Sequence, residues 1–138
     1  MSLSDTHDIT GKVNEILGDV PLKSVNGHHY GRPYMSAYQL AIEFERRFLV
    51  EYEAIGKEVG GVGSGPGSLA QYLAKQLSQQ IGVQGDAHDV EGAFLSNVDV
   101  VEYRFRREGG AEVVSSVSGT ASDLSMFRRR HQAQTPSV

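Results

Sequence analysis

With 138 residues, 39% of them hydrophobic and 22% charged, the chain suits one domain with a packed core. It has no Cys, which excludes disulfides, thiolate nucleophiles and cysteine metal ligands. Its net charge of −4 argues against strong nonspecific nucleic-acid binding, although residues 97–138 hold six Arg against five acids.

No apolar run approaches the roughly 18 to 20 residues that a membrane helix needs. Residues 1–10 lack the basic and apolar regions of a signal peptide. The expectation is a cytoplasmic protein with no membrane partner.

In chain order, residues 4–17 predict a first helix, with Ile9, Val13, Ile16 and Leu17 in one apolar stripe and Gly18 as the stop. Gly11 counts against it. Residues 18–35 read as irregular, with Lys23, Ser24 and Val25 as a candidate edge strand. Residues 36–55 predict one long helix. Ser36 and Gln39 match a capping box, and Ala37, Leu40, Ala41, Phe44, Phe48, Tyr52 and Ile55 follow the helical period.

Residues 57–67 form a Gly-rich loop. Residues 68–81 predict the next helix, where Ser68 and Gln71 repeat the cap and Leu69, Leu73, Leu77 and Ile81 make the inward stripe. Gln76 and Gln80 fall within the apolar arc, where buried amides need partners. Residues 83–96 read as irregular, with Ala93 to Leu95 able to begin a strand. Residues 98–106 alternate apolar and polar, Glu108 to Ala111 signal a turn, and residues 112–118 return. Residues 119–130 predict a last short helix capped by Ser122, and residues 131–138 a flexible tail. The expected fold is α+β: a small single domain with three main helices, then a C-terminal β-hairpin, in a winged-helix-like order.

Four groups of residues bear on function. Gly63, Gly65, Gly67 and Ser68 open onto a helix, where free N–H groups suit an anion. Gly67 stands where a Walker motif needs Lys, so the plainer reading is a connector. His28, His29, Asp86, His88 and Asp89 have no metal-ligand or catalytic spacing; no metal, cofactor or catalytic residue is assigned. Tyr30, Arg32 and Tyr34 combine aromatic and guanidinium groups suited to an interface, or to packing beside Tyr38. Arg104, Arg106 and Arg107, and separately Arg128, Arg129 and Arg130, suit phosphates or a solvated surface.

Three functions follow from these groups. The first is a nucleic-acid-binding or regulatory module, in which Gln71, Lys75, Ser78 and Gln79 face duplex DNA and Arg104, Arg106 and Arg107 meet its phosphates. The second is a non-enzymatic module that binds a protein partner or itself as a homo-oligomer. The third is a small anion-binding domain built on the Gly-rich loop. The sequence leans away from an enzyme.

Overall fold

The computed structural model describes residues 8–21, 31–64, 67–115 and 123–130. Helix α1 spans Ile9–Gly18 and presents Ile9, Val13, Ile16 and Leu17 to the core. Gly11 fits this helix for a steric reason: a Cβ there would lie 2.5 Å from the Asp8 carboxylate. Strand β1, Met35–Ser36, leads directly into helix α2, Ala37–Arg47. Both halves of the Ser36–Gln39 capping box form, with Gln39 N–H donating to Ser36 Oγ and Ser36 N–H to Gln39 Oε1.

The single helix expected over 36–55 is two. Phe48 has φ −127° and ψ 53°, and helix α3, Leu49–Ile55, starts after it. No Gly or Pro signals this break. The Phe48 ring instead packs against Phe44, with ring centres 5.5 Å apart, and lies under the Lys12 ammonium. Helix α3 buries no residue fully, and Leu49 and Val50 are exposed.

Helix α4 spans Leu69–Gln84 and ends at Gly85, beyond the Gly82 stop that the sequence suggested. Ser68 Oγ accepts from the Gln71 N–H, as its cap pattern predicts. After a 3₁₀ turn at Gly85–Ala87 come strands β2 (Val90–Leu95), β3 (Arg104–Phe105), β4 (Val113–Val114) and β5 (Leu124–Arg129). The hairpin stands where expected, but its ladder pairs only Arg104 with Val114 and Phe105 with Val113.

The largest correction concerns residues 119–130. The described part is a strand, not a helix, and it is the central strand of a three-stranded antiparallel sheet ordered β1-β5-β2. Leu124 and Phe127 are buried three residues apart, which imitates a helical stripe. The ladders outweigh that local signal: Met126 pairs with Ala93 on one side and Ser36 on the other. Residues 90–95, half of which the sequence left irregular, form β2. The predicted Ser122 cap, the segment Lys23 to Val25 and the tail lie outside the described residues.

One core joins these elements. Leu40, Ala41 and Phe44 of α2 and Leu69, Leu73 and Leu77 of α4 meet the α1 stripe, with Val90 and Phe127 contributed by the sheet. Each such aliphatic or aromatic side chain contributes on the order of 1.5–3 kcal/mol when fully buried. The α+β class is therefore correct, with four helices and a small antiparallel sheet among the described residues. Among them no helix is long and apolar enough to cross a membrane.

Candidate functional site

Strand β2 lies at the edge of the sheet. It pairs with β5 without interruption from Val90↔Arg129 to Leu95↔Leu124, so no bulge bends it. No other strand borders it among the described residues. Edge strands are commonly protected by Lys, Pro, bulges or unpaired charge. The sequence Val90-Glu91-Gly92-Ala93-Phe94-Leu95 has one charge, and that charge is neutralised within the chain. Arg128 Nε reaches Glu91 Oε2 at 2.5 Å and Arg130 Nη1 reaches Oε1 at 3.3 Å.

The register shows which backbone groups of β2 face outward. Arg130 N–H donates to Asp89 O at 2.7 Å, extending the ladder by a bonded pair. Bonded and non-bonded pairs alternate in an antiparallel ladder. Glu91, Ala93 and Leu95 therefore bond β5, while Val90, Gly92 and Phe94 turn their N–H and C=O groups away from it.

His88 closes one end of this edge. Its buried imidazole accepts the Val90 N–H at Nδ1, 2.9 Å away. That bond assigns the proton to Nε2, which donates to Gln80 Oε1 at 3.1 Å. Gln80 Nε2 in turn donates to Thr10 Oγ1 at 3.3 Å. The amide placed within the helix's apolar arc thus has partners on both sides. His88, which has no catalytic spacing in the sequence, orders the start of β2.

The other end is open and apolar. Phe94 is 71% exposed, and Leu95, Val98 and Val101 are also exposed. The turn after β2 is well tied: Val98 N–H donates to Ser96 Oγ, Asn97 N–H to Asp123 Oδ1 and Tyr103 Oη to Ser96 O. Beside β2 runs a groove of about 320 Å³ lined by Ile81, Gly82, Gly92, Phe94 and Phe127, among others. Gly92 forms part of its floor, because a Cβ there would stand 3.4–3.5 Å from Phe127 and Ile81. The sequence offered only the hint that Ala93 to Leu95 begin a strand. An edge position depends on where β5 pairs, which local pattern does not encode.

The residues nominated from sequence are dispersed. Gln71, Lys75, Ser78 and Gln79 are all exposed on α4, as predicted. Gln71 also accepts the Gly67 N–H at Oε1. Gln71, Lys75 and Ser78 line a second cavity of about 360 Å³ with Asp123. Arg107 forms a two-pronged bond with Glu45, which raises its already high pKa. Arg104 pairs with Glu102 at 2.8 Å and Glu112 at 3.6 Å. Among the described residues Arg106 has no ion pair.

The C-terminal arginines are engaged as well. Arg128 stacks over the Tyr34 ring at 4.4 Å and donates to Arg32 O, and Arg32 donates to Val20 O. Tyr34 and Arg32 therefore join an internal latch. Tyr30 lies outside the described residues. Arg129 crosses the end of α1, where a Cβ on Gly18 would come within 2.9 Å of its Nη1. Arg130 adds bonds to His88 O and Gly85 O.

At the Gly-rich loop, the donors an anion would use are occupied. Leu69 N–H donates to Glu58 O, Ala70 N–H to Val59 O and Gln71 N–H to Ser68 Oγ. Gly61, with φ +97°, lets the loop approach β4: a Cβ there would meet Val114 O at 2.6 Å. Gly63 and Gly67 also have positive φ, and Gly65 lies outside the described residues. Among the described residues no group of His, Asp and Glu is placed to hold a metal.

The chain matches no protein-family model, and no curated protein or solved structure matches it.

Proposed function

We propose that this chain is a non-enzymatic protein-interaction module that takes an extended, apolar strand along the open edge of β2. The observation that carries this reading is the edge itself: outward backbone groups at Gly92 and Phe94, no unpaired charge, and an exposed Phe94 beside an apolar groove. Strand addition draws affinity from main-chain hydrogen bonds and specificity from pockets for alternate side chains, and β2 offers both. The test is fluorescence anisotropy of a labelled peptide with the sequence of residues 88–97, titrated with dilute chain. Saturable binding that Phe94→Pro abolishes is the expected result. Proline removes an N–H that points away from β5, so the sheet keeps its ladder. Absence of binding by the unaltered chain would overturn the reading.

A second reading, duplex binding, has its own support. The order helix, strand, helices, strand, hairpin, strand is compatible with the winged-helix-like order expected from the sequence, and α4 exposes Gln71, Lys75, Ser78 and Gln79. Topological analogy does not establish function. The pairing of Arg104 and Arg107 with carboxylates leaves this surface few charges for phosphate. Anisotropy with a random-sequence duplex tests it: affinity falling steeply with salt supports it, and no binding at low salt removes it.

A further inference from the structure

The occupant of the edge follows from its hydrogen-bonding pattern. We infer that the strand added to β2 is β2 of a second copy of this chain, paired antiparallel about a twofold axis at Ala93, with each Phe94 seated over the other copy's Gly92. The inference rests on the strand-addition reading above and names its partner.

A twofold axis perpendicular to a continuous sheet keeps each face on its own side. Only residues of equal parity can then stand opposite one another. Three such registers lie near the strand centre. An axis at Gly92 pairs Val90 with Phe94, but the Val90 N–H is already held by His88. An axis at Phe94 pairs Gly92 with Ser96, which lies beyond the end of β2. An axis at Ala93 pairs Gly92 with Phe94 in both directions, and these are the two residues of β2 whose outward groups are open among the described residues. Each then exchanges both N–H···O bonds with its opposite number.

Side chains and charge agree with this register. Gly92 and Phe94 lie on one face, and the groove beside Gly92 receives an aromatic ring where the glycine itself has no side chain. An aromatic ring across from an edge glycine is a recognised stabilising pair. Glu91 stands opposite Leu95 of the second copy, so no like charges face each other, and its own charge is held by Arg128 and Arg130. The product is a six-stranded sheet continuous across both copies, with the β2 edge of each one covered.

The experiment is sedimentation velocity on the full chain over a wide concentration range, with Phe94→Lys and with Val83→Lys as a control. Val83 is exposed on α4 and is not among the residues that line the groove. The unaltered chain and V83K are expected to sediment as dimers. F94K is expected to weaken self-association by on the order of tenfold to a hundredfold while its circular dichroism stays unchanged and its Tm matches that of the unaltered chain at monomeric dilution. An unaltered chain that is monomeric throughout overturns the inference, and so does a dimer that survives F94K. A monomeric chain that still binds the residue 88–97 peptide leaves strand addition standing and removes only the second copy; a monomer that binds no peptide removes both. Because each copy carries a net charge of −4, added salt should tighten the dimer, opposite to its effect on a duplex complex.

Discussion

The outward face of α4 and the open edge of β2 are both exposed, but they differ in what water does for them. Between Leu69 and Gln80 the exposed residues of α4 are Gln71, Lys75, Ser78 and Gln79, whose polar ends water satisfies, while the helix backbone is bonded internally. On β2 the exposed groups are main-chain donors and acceptors flanked by Phe94 and Leu95, which water serves poorly. A polar helix face is at rest as it stands. An apolar strand edge gains from being covered, and among the described residues this one lacks the usual protection. The same contrast separates the arginines: those facing carboxylates across the fold build it, and among the described residues few remain to recognise anything outside.

The largest test of this contrast is Glu91. Replacing it with Ala removes the carboxylate that Arg128 and Arg130 share beside the sheet, while Arg130 keeps Asp86 at 3.8 Å. The loss should be about 2 kcal/mol, below the 3–5 kcal/mol seen for fully buried pairs because both partners keep some solvent contact. Chemical denaturation measures it. A change under about 0.5 kcal/mol would mean that the edge is not held flat by this pair.

His88 comes next. His88→Ala removes the acceptor of the Val90 N–H and the partner of Gln80, and should cost about 1–2 kcal/mol. It also opens Val90 and so sharpens the account: alternative registers become available, and a second dimer species should be detectable by crosslinking. A single unchanged crosslink pattern would argue that His88 does not set the register.

The smallest effect belongs to Glu43, on α2 and part of neither surface. Its carboxyl is held below the usual carboxylate range, first by the hydrogen bond from Arg46 and further by the charges of Arg46 and Arg47, against a counteracting burial. A depressed folded pKa gives stability that is present above the unfolded value and lost as pH falls through the folded one. Glu43→Gln should therefore destabilise by less than about 1 kcal/mol near neutrality and by nothing in strong acid. Tm measured against pH for both proteins checks this, and parallel curves would contradict it. Dimerisation should be unaffected.

Much of the helical part was legible in the sequence, because stripes and caps are local. Ser36–Gln39 and Ser68–Gln71 state where two helices start, and Leu69, Leu73 and Leu77 state which side is buried. The break at Phe48 was not legible, since no breaker residue marks it. Nor was β5: Leu124 and Phe127 are spaced like a helical pair, and only Ser36 on one flank and Ala93 on the other make Met126 a strand residue. The candidate site shares that difficulty. That Gly92 and Phe94 face outward follows from the bond between Arg130 and Asp89, a contact between distant segments. The arginines were visible as charges, but their partners Glu45, Glu91 and Tyr34 were assigned by the fold.

The most direct measurement is amide hydrogen exchange at Gly92 and Phe94 as a function of protein concentration. Both amides should exchange quickly in dilute solution and become protected together as concentration rises, while Glu91, Ala93 and Leu95, bonded to β5, stay protected throughout. Fast exchange at Gly92 and Phe94 at every concentration would contradict the claim that a second copy covers this edge.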